Sequence, residues 1–205
     1  MKTVEKLGIY GGTFSPIHNG HIRAAEKFLS DIDLDRLLIM PAAIPPHTAA
    51  DGVSGEDRLE MARIAFEGAD PRLEVCDFEV RREGRSYTIN TLEHFTSPDR
   101  RIYMLVGTDM FLTLPEWRRA EDIFRLADIV LMRREKLDET GRLIAEKKLG
   151  YERDFGARVH IIDEEPLEMS STELREKLRR GEPVDKLIPD GVARSIREKK
   201  LYTEG

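Results

Sequence analysis

Two imidazoles three positions apart, His18 and His21, stand in "GIYGGTFSPIHNGHIRAAEKF", residues 8 to 28, between a glycine-bearing turn and a run with helical spacing. Three positions span less than one helical turn, so both rings face one side. Each can donate a hydrogen bond to a phosphate oxygen, more strongly when protonated. Just upstream, a strand-like stretch ends in Gly11, Gly12, Thr13 and Phe14. Glycines there let backbone N–H groups approach an anion. The N-terminus of the next helix adds unpaired N–H groups and the positive end of a dipole. These residues predict a site that holds the phosphates of a nucleotide while one of them is attacked. No Gly-Lys-Ser/Thr follows, so this is not a Walker A loop, and the glycine spacing is not that of the dinucleotide fingerprint. Two alternatives compete: the histidines cap a helix, or they bind zinc, for which no third ligand stands nearby.

A second group lies late in the chain. In "SSTELREKL", residues 170 to 178, Ser170, Ser171 and Thr172 open a helix and Arg175 follows one turn on. Hydroxyls, first-turn N–H groups and a guanidinium all suit phosphate. The alternative is a well-capped helix with a solvated arginine. Between the two groups, Gly107, Thr108 and Asp109 end an apolar run, and the only tryptophan, Trp117, follows Pro115.

The elements that must position these residues follow from apolar periodicity. Strands are predicted at 7–10, at "RLLIMP" (36 to 41), "RLEVCDFEV" (72 to 80), "RIYMLVG" (about 102 to 107), "DIVLMRR" (128 to 134) and "RVHIID" (158 to 163). Helices are predicted at Asn19–Asp31, from Ser54 to about Glu67, at "TINTLEHF" (88 to 95), "EWRRAEDIFRLA" (116 to 127), 135–150, "SSTELREKLRRG" (170 to 181) and "DGVARSIREKKLY" (190 to 202). Ile22, Ala25, Phe28, Leu29 and Ile32 mark the buried stripe of the first helix. Continuous apolar strands alternating with helices predict an α/β, doubly wound, mostly parallel sheet of Rossmann-like architecture. Ligands of such sheets bind beyond the carboxyl ends of the strands. One domain, 1–205, is expected, with the C-terminal helical part from about 170 packed on it; the 42–53 loop is the segment expected to move.

Composition sets the bounds. The chain has 205 residues, 40% hydrophobic and 35% charged, an ordinary globular balance. A formal net charge of −6 argues against general nucleic-acid binding. No apolar run approaches a membrane span, and the first residues lack a signal peptide's apolar stretch, so a cytoplasmic location is expected. Cys76 is the only cysteine, which rules out an intrachain disulfide and a multi-cysteine metal site.

The stretch "GGTFSPIHNGH" resembles the H-x-G-H signature of the nucleotidyltransferase superfamily. With "PPH" (45 to 47), "RLEMARIAF" (58 to 66), "GRSYTINTL" (84 to 92), "LVGTDMFLTLPEWRR" (105 to 119), "SSTELREKL" and the closing "LY" (201 to 202), the chain is similar to bacterial nicotinate-nucleotide adenylyltransferases along most of its length. The resemblance implies adenylyl transfer from ATP to nicotinate mononucleotide, with Mg²⁺ carried by ATP and no dedicated protein ligands for a metal. It implies catalytic roles for His18, His21 and Arg175. ATP would be bound by these and by Gly11, Gly12, Thr13, Phe14, Gly107, Asp109, Ser171 and Thr172. Tyr87, Thr88, Trp117, Arg118 and His47 would bind the acceptor. No nucleic acid or membrane partner is implied, and the chain is a monomer or a homo-oligomer. Four positions depart from the usual family pattern: Ser15 where Asp is frequent, Thr48 for Lys, Asn90 for Asp, and Met169 for Ile. Another acceptor on the same fold, phosphopantetheine or nicotinamide mononucleotide, and a non-catalytic nucleotide-binding module are the alternatives.

Overall fold

The computed structural model describes residues 4–44, 52–82, 84–133, 139–164 and 170–203. In chain order the elements are β1 (Glu5–Gly12), α1 (Asn19–Asp31), β2 (Arg36–Pro41), α2 (Gly55–Ala65), β3 (Leu73–Val75), α3 (Phe78–Arg81), α4 (Thr88–Phe95), β4 (Arg100–Gly107) and α5 (Thr108–Thr113). A 3₁₀ turn (Leu114–Glu116) leads to α6 (Ala120–Leu126), β5 (Ala127–Arg133), α7 (Glu139–Phe155), β6 (Val159–Asp163), α8 (Ser171–Arg179) and α9 (Asp190–Glu198). The strands form one sheet in the order β3-β2-β1-β4-β5-β6, all parallel. This is the doubly wound order, and its direction reverses between β1 and β4.

The strands form where the sequence is continuously apolar. Ile102 to Val106 of β4 and Ala127 to Met132 of β5 are all buried, as a parallel strand covered on both faces requires. On α1, Ala25, Phe28 and Leu29 of the predicted stripe are buried, whereas Ile22 and Ile32 are half-buried. Gly8 of β1 is required by close packing. A Cβ there would lie 2.5 Å from Leu34 and 2.8 Å from Leu37 side-chain carbons.

Two compact units divide the chain. The first comprises Met1–Gly11, Lys27–Leu37 and Tyr87–Pro166. Its core joins β4 and β5 to α4, α6 and α7, with Leu92, Phe111, Phe124 and Tyr151 among the buried side chains. The second comprises Gly12–Glu26, Leu38–Ser86 and Leu167–Gly205. There α9 packs on α2 so closely that a Cβ on Gly191 would be 2.6 Å from Ile64 Cγ2.

Several boundaries differ from the expected ones. "RLEVCDFEV" is a strand only over Leu73–Val75, and its tail is the helical turn α3. Asp77 explains the change: it accepts from Arg81 four residues on (2.7 Å) and from Arg63 of α2 (3.1 Å), which favours a turn over an extended chain. "EWRRAEDIFRLA" becomes helical only at Ala120, because Arg119 is left-handed (φ 57°) and pairs with Asp122. The helix read at 135–150 runs on to Phe155, and the last helix stops at Glu198, followed by left-handed Lys200 and Tyr202. Thr108–Thr113 forms a short helix where none was expected.

At the amino edge of the sheet, Asp128 of β5 is fully buried. Arg101 of β4 and Arg158 donate to its two oxygens, and His160 Nε2 lies 3.0 Å from Oδ2. Burial pushes its pKa up, but the hydrogen bonds from Arg101, His160 and Arg158 outweigh that and hold it below the usual carboxylate range. A carboxyl whose folded pKa is depressed stabilises above its unfolded pKa, about 3.9, and loses that contribution as pH falls through the folded value. Asp128→Asn therefore costs about 1–3 kcal/mol at pH 7, discounted because the arginines are half-exposed. Denaturant unfolding at pH 7 and pH 3 should show the gap between variant and parent closing on the acid side. A gap that stays constant contradicts this account.

Candidate active site: the histidine loop and the carboxyl edge of the sheet

β1 hands the chain to a tight loop at the carboxyl edge of the sheet. Gly12 is needed because Phe14 folds back beneath it: a Cβ on Gly12 would be 2.9 Å from Phe14 Cζ. Phe14 is buried with φ 49°, an uncommon conformation for a bulky residue and one that marks a constrained turn. The Ser15–Pro16 bond is cis. The edge of Phe14 supports His21, with ring centroids 5.1 Å apart at 88°.

His18 and His21 stack, centroids 3.7 Å apart and planes at 26°. The His18 amide donates to His21 Nδ1 at 3.2 Å. An amide can only donate, so Nδ1 is an acceptor and the proton of His21 sits on Nε2. His21 is therefore a neutral hydrogen-bond donor in this arrangement. Two charged rings at this separation would repel by about 4 kcal/mol at an effective dielectric near 20. One neutral ring removes that conflict.

Distant residues hold the loop. Arg58 of α2 is 3% exposed and donates to three carbonyls: Thr13 (2.8 Å), Ala42 (2.6 Å) and Ala43 (2.8 Å). Arg175 of α8 donates to the Ser15 carbonyl (2.8 Å) and to Thr172 Oγ1 (3.1 Å). The first amide of α1 is not open to a ligand. Asn19 N–H donates to Leu187 O (2.9 Å), and Asn19 Nδ2 donates to Lys186 O (3.0 Å). His21 N–H returns to His18 O. The open helix start expected from sequence is thus reduced, because a C-terminal segment reaches back to it.

At α8, Ser170 and Glu173 form a capping box: Ser170 Oγ accepts from Glu173 N–H, and Ser170 N–H donates to Glu173 Oε2 at 2.7 Å. The backbone and hydroxyl of Ser170 hold the Glu173 carboxyl below its usual pKa. The Ser170 hydroxyl is therefore engaged in the cap, while Ser171 and Thr172 follow in the first turn.

In the first unit, Gly11 is the penultimate residue of β1 and Gly107 the last of β4, the strands that flank the reversal of sheet order. A Cβ on either glycine would meet nothing within 4 Å. Asp109 is exposed in the first turn of α5 and caps nothing. Arg118 lies over the Tyr87 ring, Cζ 4.8 Å from the centroid, a cation–π contact. Thr88 is the first residue of α4, whose N-cap Tyr87 supplies no side-chain bond; Asn90 N–H donates to Tyr87 O (3.0 Å), so among the described residues only the amides of Thr88 and Ile89 precede the helical ladder. Trp117 is half-buried and packs against the core of this unit. His47, Thr48 and Met169 lie outside the described residues.

The second unit thus brings together His18, His21, Phe14, Arg175 and Thr172, and the first brings together Tyr87 and Arg118. Arg58 and Tyr202, whose hydroxyl meets Ser15 Oγ, were missed as contributors; the only sequence signal for Arg58 was its place within the apolar stripe of α2. Among the described residues no group of three or more His, Cys, Asp and Glu side chains could hold a metal ion. No described helix is long and apolar enough to cross a membrane.

The cytidylyltransferase-like family model matches residues 9–177. A "probable nicotinate-nucleotide adenylyltransferase" of Clostridium tetani is 33% identical over 202 residues, covering 97% of this chain and 100% of the relative. One from Synechococcus is 36% identical over 203 residues, covering 97% and 95%. Among solved structures, Plasmodium falciparum nicotinic acid mononucleotide adenylyltransferase complexed with NaAD superposes with a TM-score of 0.79 at 19% identity, covering 97% of each chain, a likeness of fold. With this fold and these full-length relatives, the chain belongs to the nicotinate-nucleotide adenylyltransferases, nucleotidyltransferases of the cytidylyltransferase-like family.

Proposed function

We propose that the chain transfers the adenylyl group of Mg·ATP to nicotinate mononucleotide, giving deamido-NAD and pyrophosphate. The observation that carries this reading is the stacked His18–His21 pair, with the His21 proton fixed at Nε2 by the His18 amide. An oxygen of the mononucleotide phosphate attacks the α-phosphorus of ATP. The bond from that phosphorus to the oxygen bridging to the β-phosphate breaks, and its electron pair leaves with pyrophosphate. The attacking phosphate has a second pKa near about 6, so it is largely ionised at neutral pH and needs no general base. What remains is alignment of two polyanions and stabilisation of developing charge.

His18 and His21 donate to the ATP phosphates. Arg175, with two of its five N–H groups on Ser15 and Thr172, turns the others to the same anion. Ser171 and Thr172 add first-turn donors. Gly11, Gly12, Thr13 and Phe14 bring backbone against the nucleotide, and Gly107 and Asp109 hold the ribose. Magnesium arrives as part of the substrate Mg·ATP and neutralises phosphate charge. On the acceptor side, Trp117 stacks on the pyridine ring, the opening amides of α4 at Thr88 receive its carboxylate, and Tyr87 and Arg118 complete that contact. His47 is assigned to the same substrate from the sequence pattern alone. Small nucleotides, not nucleic acid, are the partners of a chain with net charge −6, and the cytoplasm, where ATP is supplied, is its place.

Incubation with Mg·ATP and nicotinate mononucleotide should yield deamido-NAD and pyrophosphate in equal amounts; absence of the dinucleotide sinks the proposal. Trp117→Ala should raise KM for the mononucleotide roughly tenfold, the scale of one aromatic stack, and leave KM for ATP within about twofold. An unchanged acceptor KM refutes the stacking role.

A further inference from the structure

We propose that Tyr202 is a positioning residue for the histidine loop, acting through Ser15; the claim rests on the adenylyl-transfer reading above. The Tyr202 hydroxyl lies 2.8 Å from Ser15 Oγ, a buried contact between residues 187 positions apart. Ser15 is 1% exposed and three positions before His18. Its two polar ends are both taken by the C-terminal segment: Arg175 donates to its carbonyl and Tyr202 meets its hydroxyl. On the other side of His18, Asn19 is held by the carbonyls of Lys186 and Leu187. The backbone of His18 is thus gripped before and after by one stretch of chain.

Tyr202 is not needed to dock α9. Lys199 already joins α9 to Asp57 (2.7 Å) and Glu60 (2.6 Å) of α2, and Gly191 packs against Ile64. The Tyr202 hydroxyl reaches past these contacts to the histidine loop itself. Its left-handed backbone (φ 60°), uncommon for an aromatic residue, turns it there. Displacement of a catalytic group by about 1 Å can cost about 10²-fold in rate, so a bond that fixes Ser15 should register in turnover.

The test compares Tyr202→Phe, Ser15→Ala and the double variant. Each single variant breaks the bond between the two hydroxyls and keeps one of them, whereas the double variant removes both and should be nearly neutral in stability. The expected result is a Tm lowered in the singles and restored in the double, with kcat about tenfold down in all three. Recovery of kcat together with Tm in the double variant would mean a merely structural contact and overturns the proposal, as does a normal kcat for Tyr202→Phe. Calorimetric affinity for Mg·ATP is measured on the same four proteins. If the parent makes no dinucleotide, the adenylyl-transfer reading fails separately. Positioning is then judged by ATP affinity, which should be about tenfold weaker in all three variants; equal affinities overturn it.

Discussion

Replacing His21 with alanine should lower kcat at least about 10²-fold, the scale of losing one donor aimed at developing charge. The tautomer of His21 sets the size of this effect. His18 N–H occupies His21 Nδ1, so the single proton of the neutral ring is presented by Nε2, and Phe14 and the His18 ring fix the plane from which it points. A donor held this rigidly needs no reorganisation as charge moves onto the phosphates. Its contribution therefore falls on the transition state more than on bound ATP, and KM for ATP should change far less than kcat. Pyrophosphate release at saturating substrates checks this. A rate within a few-fold of the parent removes His21 from the mechanism.

Arg58→Met should cost about 2–4 kcal/mol of stability, because it leaves buried backbone carbonyls without their charged donor. The guanidinium lies between the carbonyls of Thr13, Ala42 and Ala43, so it ties the turn after β1 to the end of β2. Hydrogen bonds from a charged donor contribute about 1.5–3 kcal/mol each, though not additively. Arg58→Lys keeps the charge but lacks the planar fork, so it should fall between parent and Met variant. Denaturant unfolding measures both, and a loss under about 1 kcal/mol for Arg58→Met contradicts the assigned role. Turnover should fall as well, since Thr13 belongs to the loop proposed to hold the nucleotide.

The features legible in the sequence were those written within one or two turns of chain. The spacing of His18 and His21, the Ser54 and Ser170 caps and the unbroken apolar runs of β4 and β5 all depend on near neighbours, and all appear in the structure. Short apolar alternation was less decisive: "CDFEV" reads as strand until Asp77 is seen to gather Arg63 and Arg81. An arginine in a helix is ordinarily solvated, and the burial of Arg58 follows from carbonyls as far as 45 residues away in sequence. The Asn19 amide looked available because its partner, Leu187, lies in another part of the chain. The same distance hid Tyr202 from Ser15.

The most direct test of the central claim is the rate of pyrophosphate release from Mg·ATP with nicotinate mononucleotide and nicotinamide mononucleotide offered separately. Fast release with the acid and slow release with the amide is the predicted result, because the proposed partners of the pyridine substituent, the amides of Thr88 and Ile89, donate, and the amide brings donors of its own. Equal rates would keep the reaction and overturn the roles given to Thr88 and Arg118. No release with either acceptor would contradict the account.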